Sequence, residues 1–398
     1  MICKITKKKL IPFMSFGKMP IANGFLRKKQ FKSEFFFNLE VGFSKSISLF
    51  QLNEHPKPKQ MFNNNYPFFT GGSKGMIQHF KKYSQWVKKN YGKKIKHLLE
   101  IGSNDGTFLS NFDNKKINVM GFEPSKNVAQ ISRKKGIKTI NKFFNFNNAK
   151  KFKKLKNKID VITAANAICH VPNLISLIKG VNFLLKQRGV FIFEEPYLGS
   201  MYLKGSYDQI YDEHIFIFSL SSINKIFNLF NFELIDGIPQ NTHGGSMRYV
   251  IARKGIFKKS KRVNRLLLNE KLKNIDNYKG CLKFKKKCEN SKKKLISRLK
   301  KYKKNKLKIA GYAATSKSTT ILNYCNINTT YLDYICDTTK EKIGKYSPGM
   351  HIPVVSMDHF KNNPPDKSFL FAWNHKKEIF TKEREFTKKK RWFAHIKI

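Results

Sequence analysis

The stretch Leu98-Leu99-Glu100-Ile101-Gly102-Ser103-Asn104-Asp105-Gly106-Thr107-Phe108-Leu109 decides the fold. It opens as a short apolar run, breaks at a glycine and resumes in a pattern that predicts a helix. Strand, glycine turn and helix form the first step of an alternating α/β chain. Gly102 and Gly106 let the backbone pass close to a ligand, where a side chain would obstruct it. Working outward, further apolar runs occupy 119–122, 161–165 and 189–193, with helical stretches between them such as 173–185. The pattern predicts a mainly parallel sheet covered on both faces, the α/β class. Two later strands, 232–238 and 247–252, complete a block spanning 84–256.

In open α/β sheets a ligand sits beyond the carboxyl ends of the strands, at the switch point. Glu123 ends the next strand, about 20 residues on, where a carboxylate accepts hydrogen bonds from ribose hydroxyls. The turn is not GxGxxG, which argues against a dinucleotide pyrophosphate. Glu100 and Asp105 repel phosphate and suit the cationic sulfonium and amino group of S-adenosylmethionine. The expected cofactor is therefore S-adenosylmethionine, with any Rossmann-like nucleotide as the blander reading. Glu100, Gly102, Asn104, Asp105, Gly106, Glu123, Ala165 and Asn166 are the residues expected to hold it.

The fourth run ends in Glu194-Glu195-Pro196-Tyr197, so the loop beyond it emerges at the same rim. That loop carries Tyr207, Asp208, Gln209, Ile210, Tyr211, Asp212, Glu213 and His214. Asp, Glu, Tyr and His at this density supply a base, a group that orients it and a proton donor. An acidic surface loop with a structural histidine is the alternative. A second element bears on the choice: Asn241-Thr242-His243-Gly244-Gly245-Ser246-Met247-Arg248 leads into the last strand of the block. If that strand runs antiparallel, its start faces the cofactor, and His243 converges with His214. His170, just past the third run, points the same way.

On either side lie two smaller blocks. Residues 1–83 are irregular, with Pro12, Pro20, Pro56, Pro58 and Pro67, a strand expected over 43–52, a turn at Gly71-Gly72-Ser73 and a helix over 74–89. Residues 257–398 begin with a Lys-rich helical stretch to 306, in which Leu266, Leu267, Leu268, Leu272, Ile275, Tyr278 and Leu282 recur at near-helical spacing. A strand at 307–312, a helix at 317–324 and a strand at 331–336, ended by Asp337, then form a second, smaller βαβ unit.

The chain has 398 residues, 40% hydrophobic, and a formal charge of +53. That charge suits a polyanion. However, Lys far outnumbers Arg, is spread over the whole chain and is accompanied by abundant Phe, Asn and Ile. AT-rich codon bias accounts for all four, whereas a nucleic-acid surface also recruits arginine. A nucleic-acid partner is not expected. The six cysteines form no CxxC pair and no disulfide framework, which fits a reducing cytoplasm. No run reaches about 18 apolar residues, so no membrane insertion is expected. The N-terminus lacks a signal-peptide apolar region. The expected location is cytoplasmic.

These motifs together resemble a family: the sugar C-methyltransferases that act on nucleotide-linked 4-keto-deoxyhexoses. The matching stretches are Glu100-Ile101-Gly102-Ser103-Asn104-Asp105-Gly106, Ile210-Tyr211-Asp212-Glu213-His214, and 241–248, 311–317 and 344–353, so the likeness covers nearly the whole chain. It implies a small N-terminal zinc-binding-like module, a class I methyltransferase domain and a C-terminal Rossmann-like domain that helps hold the sugar nucleotide. It implies His214 as the base that removes the proton next to the ketone, the enolate then attacking the cofactor's methyl group. Tyr211 and Glu213 stand beside His214, and Tyr66 and His170 fall where the family has further active-site groups. His243, Gly244, Arg248 and Lys317 fall where the substrate is held. Asp212 stands where the family more often has His. The zinc module departs most. Its two CxxC pairs correspond to Cys3-Lys4-Ile5-Thr6 and Ser44-Lys45-Ser46-Ile47, so only Cys3 survives. One thiolate does not make a four-ligand structural zinc site. The module is expected to persist without metal, packed around Phe13, Phe16, Phe25, Phe43 and Phe50. Two other readings stay open: an O- or N-methyltransferase on another small molecule, and a non-catalytic polyanion-binding protein on a methyltransferase fold.

Overall fold

The computed structural model describes residues 1–57, 69–92 and 95–398. Three sheets organise it. The central one contains β4 (His97–Ile101), β5 (Asn118–Phe122), β6 (Lys138–Ile140), β7 (Ile159–Ala165), β8 (Leu185–Pro196), β10 (Phe232–Gln240) and β11 (Ser246–Arg253). Its order is β10-β11-β8-β7-β4-β5-β6. The five strands from β4 to β8 are mutually parallel, whereas β11 is antiparallel to both β8 and β10. That order, with one inserted antiparallel strand, is the class I methyltransferase sheet. β4, β5 and β7 are buried almost throughout, which is why they read as unbroken apolar runs. The chain crosses from β5 and β6 on one side of β4 to β7 on the other, placing the switch point at the carboxyl end of β4.

The N-terminal sheet is β1 (Ile11–Pro20), β2 (Phe36–Ser44) and β3 (Leu49–Leu52), completed by β9 (Phe216–Ile217) from the loop after β8. The C-terminal sheet is fully parallel: β12 (Ile309–Tyr312), β13 (Tyr334–Cys336), β14 (Val354–Val355), β15 (Lys367–Leu370) and β16 (Trp392–Phe393), in the order β14-β13-β12-β15-β16. One apolar core joins these two sheets and takes in Phe13, Phe16, Phe25, Phe43 and Phe50. Burying a phenylalanine contributes about 1.5–3 kcal/mol, so five at one seam form a substantial joint. Among the described residues no helix is long and apolar enough to cross a membrane.

Three expectations need correction, and one strand has no counterpart among them. Residues 43–52 are not one strand but the end of β2, a turn and β3, with Ser48 in the left-handed region; Lys45, Ser46 and Ser48 break the alternation. β6 was not foreseen; three residues, one of them buried, leave almost no pattern. The glycine turn after β4 does not enter a regular helix. Residues 102–108 form successive turns, and Leu109–Asn111 adds one 3-10 turn. Asn104 and both glycines have positive φ, and Asp105 bonds back to the Thr107 amide, so local side chains displace the helical ladder. The Lys-rich stretch is two helices, Lys261–Leu272 and Tyr278–Lys304. The break between them resets the phase, leaving Leu268, Leu272 and Leu282 exposed while Cys281, Phe284, Cys288, Leu295 and Leu299 face the core.

Candidate active site

A cavity of about 1060 Å³ opens where the parallel strands of the central sheet and the C-terminal sheet present their carboxyl ends to each other. Residues following β4, β5, β7 and β8 line one side; Thr315, Ser316, Lys317, Thr339, Lys342, Ala372, Asn374 and His375, following β12, β13 and β15, line the other.

On the first side, Glu100 is buried. Burial, then the charges of Asp105 and Glu123, pushes its carboxyl well above the usual range. Among the described residues its Oε2 has no hydrogen-bond partner. An orphaned acidic oxygen at the switch point fits an amino or sulfonium cation and not a phosphate. Glu123 accepts the Asn104 and Ser125 amides at 3.0 and 2.8 Å, keeping lone pairs for hydroxyl donors. Gly102, at φ +69°, leaves room for Ala167, which a Cβ would meet at 2.6 Å. Asn104, Ala165 and Asn166 also line the cavity. Asp105 and Gly106 do not. Asp105, itself buried, turns away from the cavity to accept the Gly71 amide at 2.9 Å and the Thr107 hydroxyl at 2.6 Å, and Gly106 packs against Ser132 and Ile137. Their part is to shape the turn.

His214, expected as the base, is buried and held on several sides. His214 Nδ1 lies 2.6 Å from the Gln209 carbonyl oxygen, which only accepts, so Nδ1 carries the hydrogen and Nε2 keeps its lone pair. Tyr211 packs on the imidazole at 4.1 Å and His170 at 5.3 Å, ring centre to ring centre. Burial, with Lys317 nearby, lowers His214 to about 4, so it is neutral at pH 7. The turn supplying that carbonyl is itself clamped: Asp208 accepts from Trp373 Nε1 at 2.7 Å and pairs with His395 at 3.1 Å. Glu195 anchors the opposite loop, accepting the Ala167 and Ile168 amides at 3.0 and 2.6 Å; burial raises it to about 7.

Glu213 lines the cavity and accepts from Asn23 Nδ2 at 3.2 Å. Burial raises its carboxyl, against the pull of Asn23 and Lys342. Asp212, absent from the lining, accepts the Ala22 amide instead. β11 does run antiparallel, and His243 reaches the cavity, its Nε2 3.0 Å from Asn166 Nδ2. Burial and Lys317 lower His243 to about 3. Lys317 lines the cavity too, bonded to Asn374 Oδ1 at 2.9 Å, and burial brings it to about 8.

Two residues expected to hold substrate do not line the cavity. Arg248 pairs with its cross-strand neighbour Glu194 through Nε at 2.7 Å and a terminal nitrogen at 2.6 Å, stacked over Tyr83 and Trp86. Gly244 packs against the Trp373 ring, where a Cβ would be 2.1 Å from a ring carbon. Tyr66 lies outside the described residues. Sequence reasoning missed Asn23, Lys342 and His375. Their membership depends on how the outer sheets dock, which no local pattern records.

Three family models tile the chain: a "putative zinc binding domain" over 3–62, a "methyltransferase domain" over 77–236 and a "C-methyltransferase C-terminal domain" over 241–396. C-methyltransferase NovU of Streptomyces niveus is 27% identical over 377 residues, 94% of this chain and 89% of that protein. Among solved structures, the PH0226 protein from Pyrococcus horikoshii OT3 aligns with 47% of this chain and 95% of its own (15% identity, TM-score 0.37). Magnesium protoporphyrin IX methyltransferase from Synechocystis PCC 6803, solved with bound SAM, aligns with 45% and 80% (12% identity, TM-score 0.34). The zinc that the first family's description implies finds no fitting donor set in the described residues of that segment. Cys3 is buried among Ile5, Leu10, Ile47 and Leu49, and its Sγ takes the Thr6 amide at 3.4 Å.

Proposed function

We propose that this S-adenosylmethionine-dependent methyltransferase methylates carbon, at the position next to the ketone of a nucleotide-linked keto-deoxy sugar, through an enolate. The observation that carries this reading is the fixed tautomer of His214. Its Nε2 lone pair is the basic atom of a cavity-lining side chain, held between Tyr211 and His170. A base of this kind serves proton removal from carbon; an oxygen or nitrogen nucleophile makes less demand on it.

When bound, S-adenosylmethionine supplies an electrophilic methyl group. Glu100, Asn104, Glu123, Ala165 and Asn166 would hold it at the ends of β4, β5 and β7. His214 Nε2 takes the carbon-bound proton. The Glu213 carboxyl, raised by burial, lines the cavity with Tyr211, and the two stand where charge would develop on the ketone oxygen. On the facing side Lys317, Lys342 and His375 offer cationic or donor groups to a diphosphate. The N-terminal module would hold no metal and serve by positioning Asn23 against Glu213.

The test is to incubate the protein with labelled S-adenosylmethionine and a panel of nucleotide 4-keto sugars in deuterated water. Label transfer to carbon, with deuterium entering next to the ketone, is the expected result. His214→Asn should lose both by roughly 10²–10⁴-fold. Transfer to oxygen or nitrogen without deuterium exchange, or a variant within a few-fold of wild type, overturns the reading.

A further inference from the structure

The 3-10 turn after β7 carries Cys169 and His170 into contact with His214 from the loop before β9. One ligand atom from each, a thiol sulfur and two ring nitrogens, lies within 4.8 Å of the other two. Cys169 is 2% exposed and His214 7%. Nothing in the methyl-transfer reading employs the thiol. We propose that Cys169, His170 and His214 form a binding site for a soft divalent cation such as zinc, and that the ion switches off the base.

The donor set is the one such ions select. Thiolate and imidazole favour zinc and its soft neighbours over magnesium or calcium. A tetrahedral zinc ion with bonds of about 2.0–2.3 Å spaces its donors by about 3.3–3.8 Å, so the three side chains need to close by at most about 1–1.5 Å. The surroundings suit it as well. His214 donates Nδ1–H to the Gln209 carbonyl, which presents Nε2 as the ligand atom. Metal-binding histidines are oriented in this way by a carbonyl or carboxylate on the other nitrogen. The Cys169 thiol donates to Glu195, and ion binding would replace that hydrogen bond. Three protein ligands would leave a fourth position open, as in catalytic zinc sites. The consequence follows from one lone pair serving two purposes: while Nε2 binds an ion it takes no proton from carbon. This second half rests on the reading of His214 as the base; the binding itself does not.

The full chain, stripped with a chelator, should retain one equivalent of zinc at micromolar concentration. Cobalt in its place should show thiolate-to-metal charge-transfer absorption. Cys169→Ala and Cys169→Ser should each lose that absorption and weaken zinc retention about tenfold or more, while Cys3→Ser leaves both as they were. Retention that survives both Cys169 variants, disappears in Cys3→Ser, or is absent at micromolar zinc overturns the site. Methyl transfer should fall in step with zinc occupancy and return with chelator. Full-rate transfer by the zinc-loaded protein overturns the switch. Should His214→Asn keep full methyl transfer, the function proposed above fails, and the cobalt and retention measurements still decide the metal site.

Discussion

His214, His170 and His243 are all lowered from the ordinary histidine range by burial. Two consequences follow for pH. A base with a pKa of about 4 is already free above pH 5, so kcat/KM should stay flat from about pH 7.5 down to about 5.5, with no inflection near 6.5. A pH–rate profile checks this. Stability should behave differently. The unfolded chain's histidines take up protons below about 6.5 while the folded ones remain neutral, so unfolding free energy should fall as pH drops from about 6.5 toward 4. Denaturant titrations along that range measure the slope. Arg248 gives a contrasting prediction. Arg248→Ala strands the buried carboxylate of Glu194 with only His79 beside it, so it should cost about 3–5 kcal/mol of stability. In variants that still fold, KM for the sugar nucleotide should change little. The residue was legible as important but not as structural. Its motif names the strand, whereas the face it occupies is set by the pairing of Arg248 with Glu194 across β8 and β11.

Elements with strong hydrophobic runs were legible because both faces of the central sheet are covered; those governed by turn chemistry were not. The turn after β4 looks like a helix start by composition, yet the Asn104 side chain accepts the Thr70 amide and the Asp105 carboxylate accepts the Gly71 and Thr107 amides. The connection between β10 and β11 shows the same principle. His243, Gly244 and Gly245 take positive φ in succession, at 52°, 87° and 126°. This bend sends His243 into the cavity and sets Gly244 on the face of Trp373. Gly244→Ala forces a Cβ into the indole in a backbone region that alanine disfavours. It should cost about 1–3 kcal/mol and raise KM for the sugar nucleotide more than for S-adenosylmethionine, since Trp373 packs beside Lys317 on the facing side. Thermal unfolding and steady-state kinetics with each ligand varied separate the two effects.

At the scale of the molecule, 79 Lys and Arg face 26 Asp and Glu, so most cations have no acidic partner to offset them. Self-repulsion of like charges destabilises a compact chain and is screened by salt. Raising sodium chloride from low to physiological strength should therefore raise the unfolding temperature by a few degrees; an unchanged or falling value would show the charges to be locally compensated. If codon bias explains the excess, random RNA should also fail to bind tightly at physiological salt. The docking of three sheets around one cavity was outside the reach of any pattern in the sequence. It rests on contacts such as Asn23 with Glu213 and Asp208 with His395, which join residues 190 and 187 positions apart.

The two-residue strand Phe216–Ile217 sets a schedule for synthesis. β3 ends at Leu52 and waits for a partner that follows it by about 165 residues. At roughly 5–20 residues per second, its edge stays open on the ribosome for about 10–30 s. During that interval the nascent chain exposes an apolar strand edge of the kind that invites pairing with other chains. Closing that edge brings the His214 loop against the N-terminal sheet, so the first sheet to be made is the one whose completion coincides with assembly of the proposed catalytic centre.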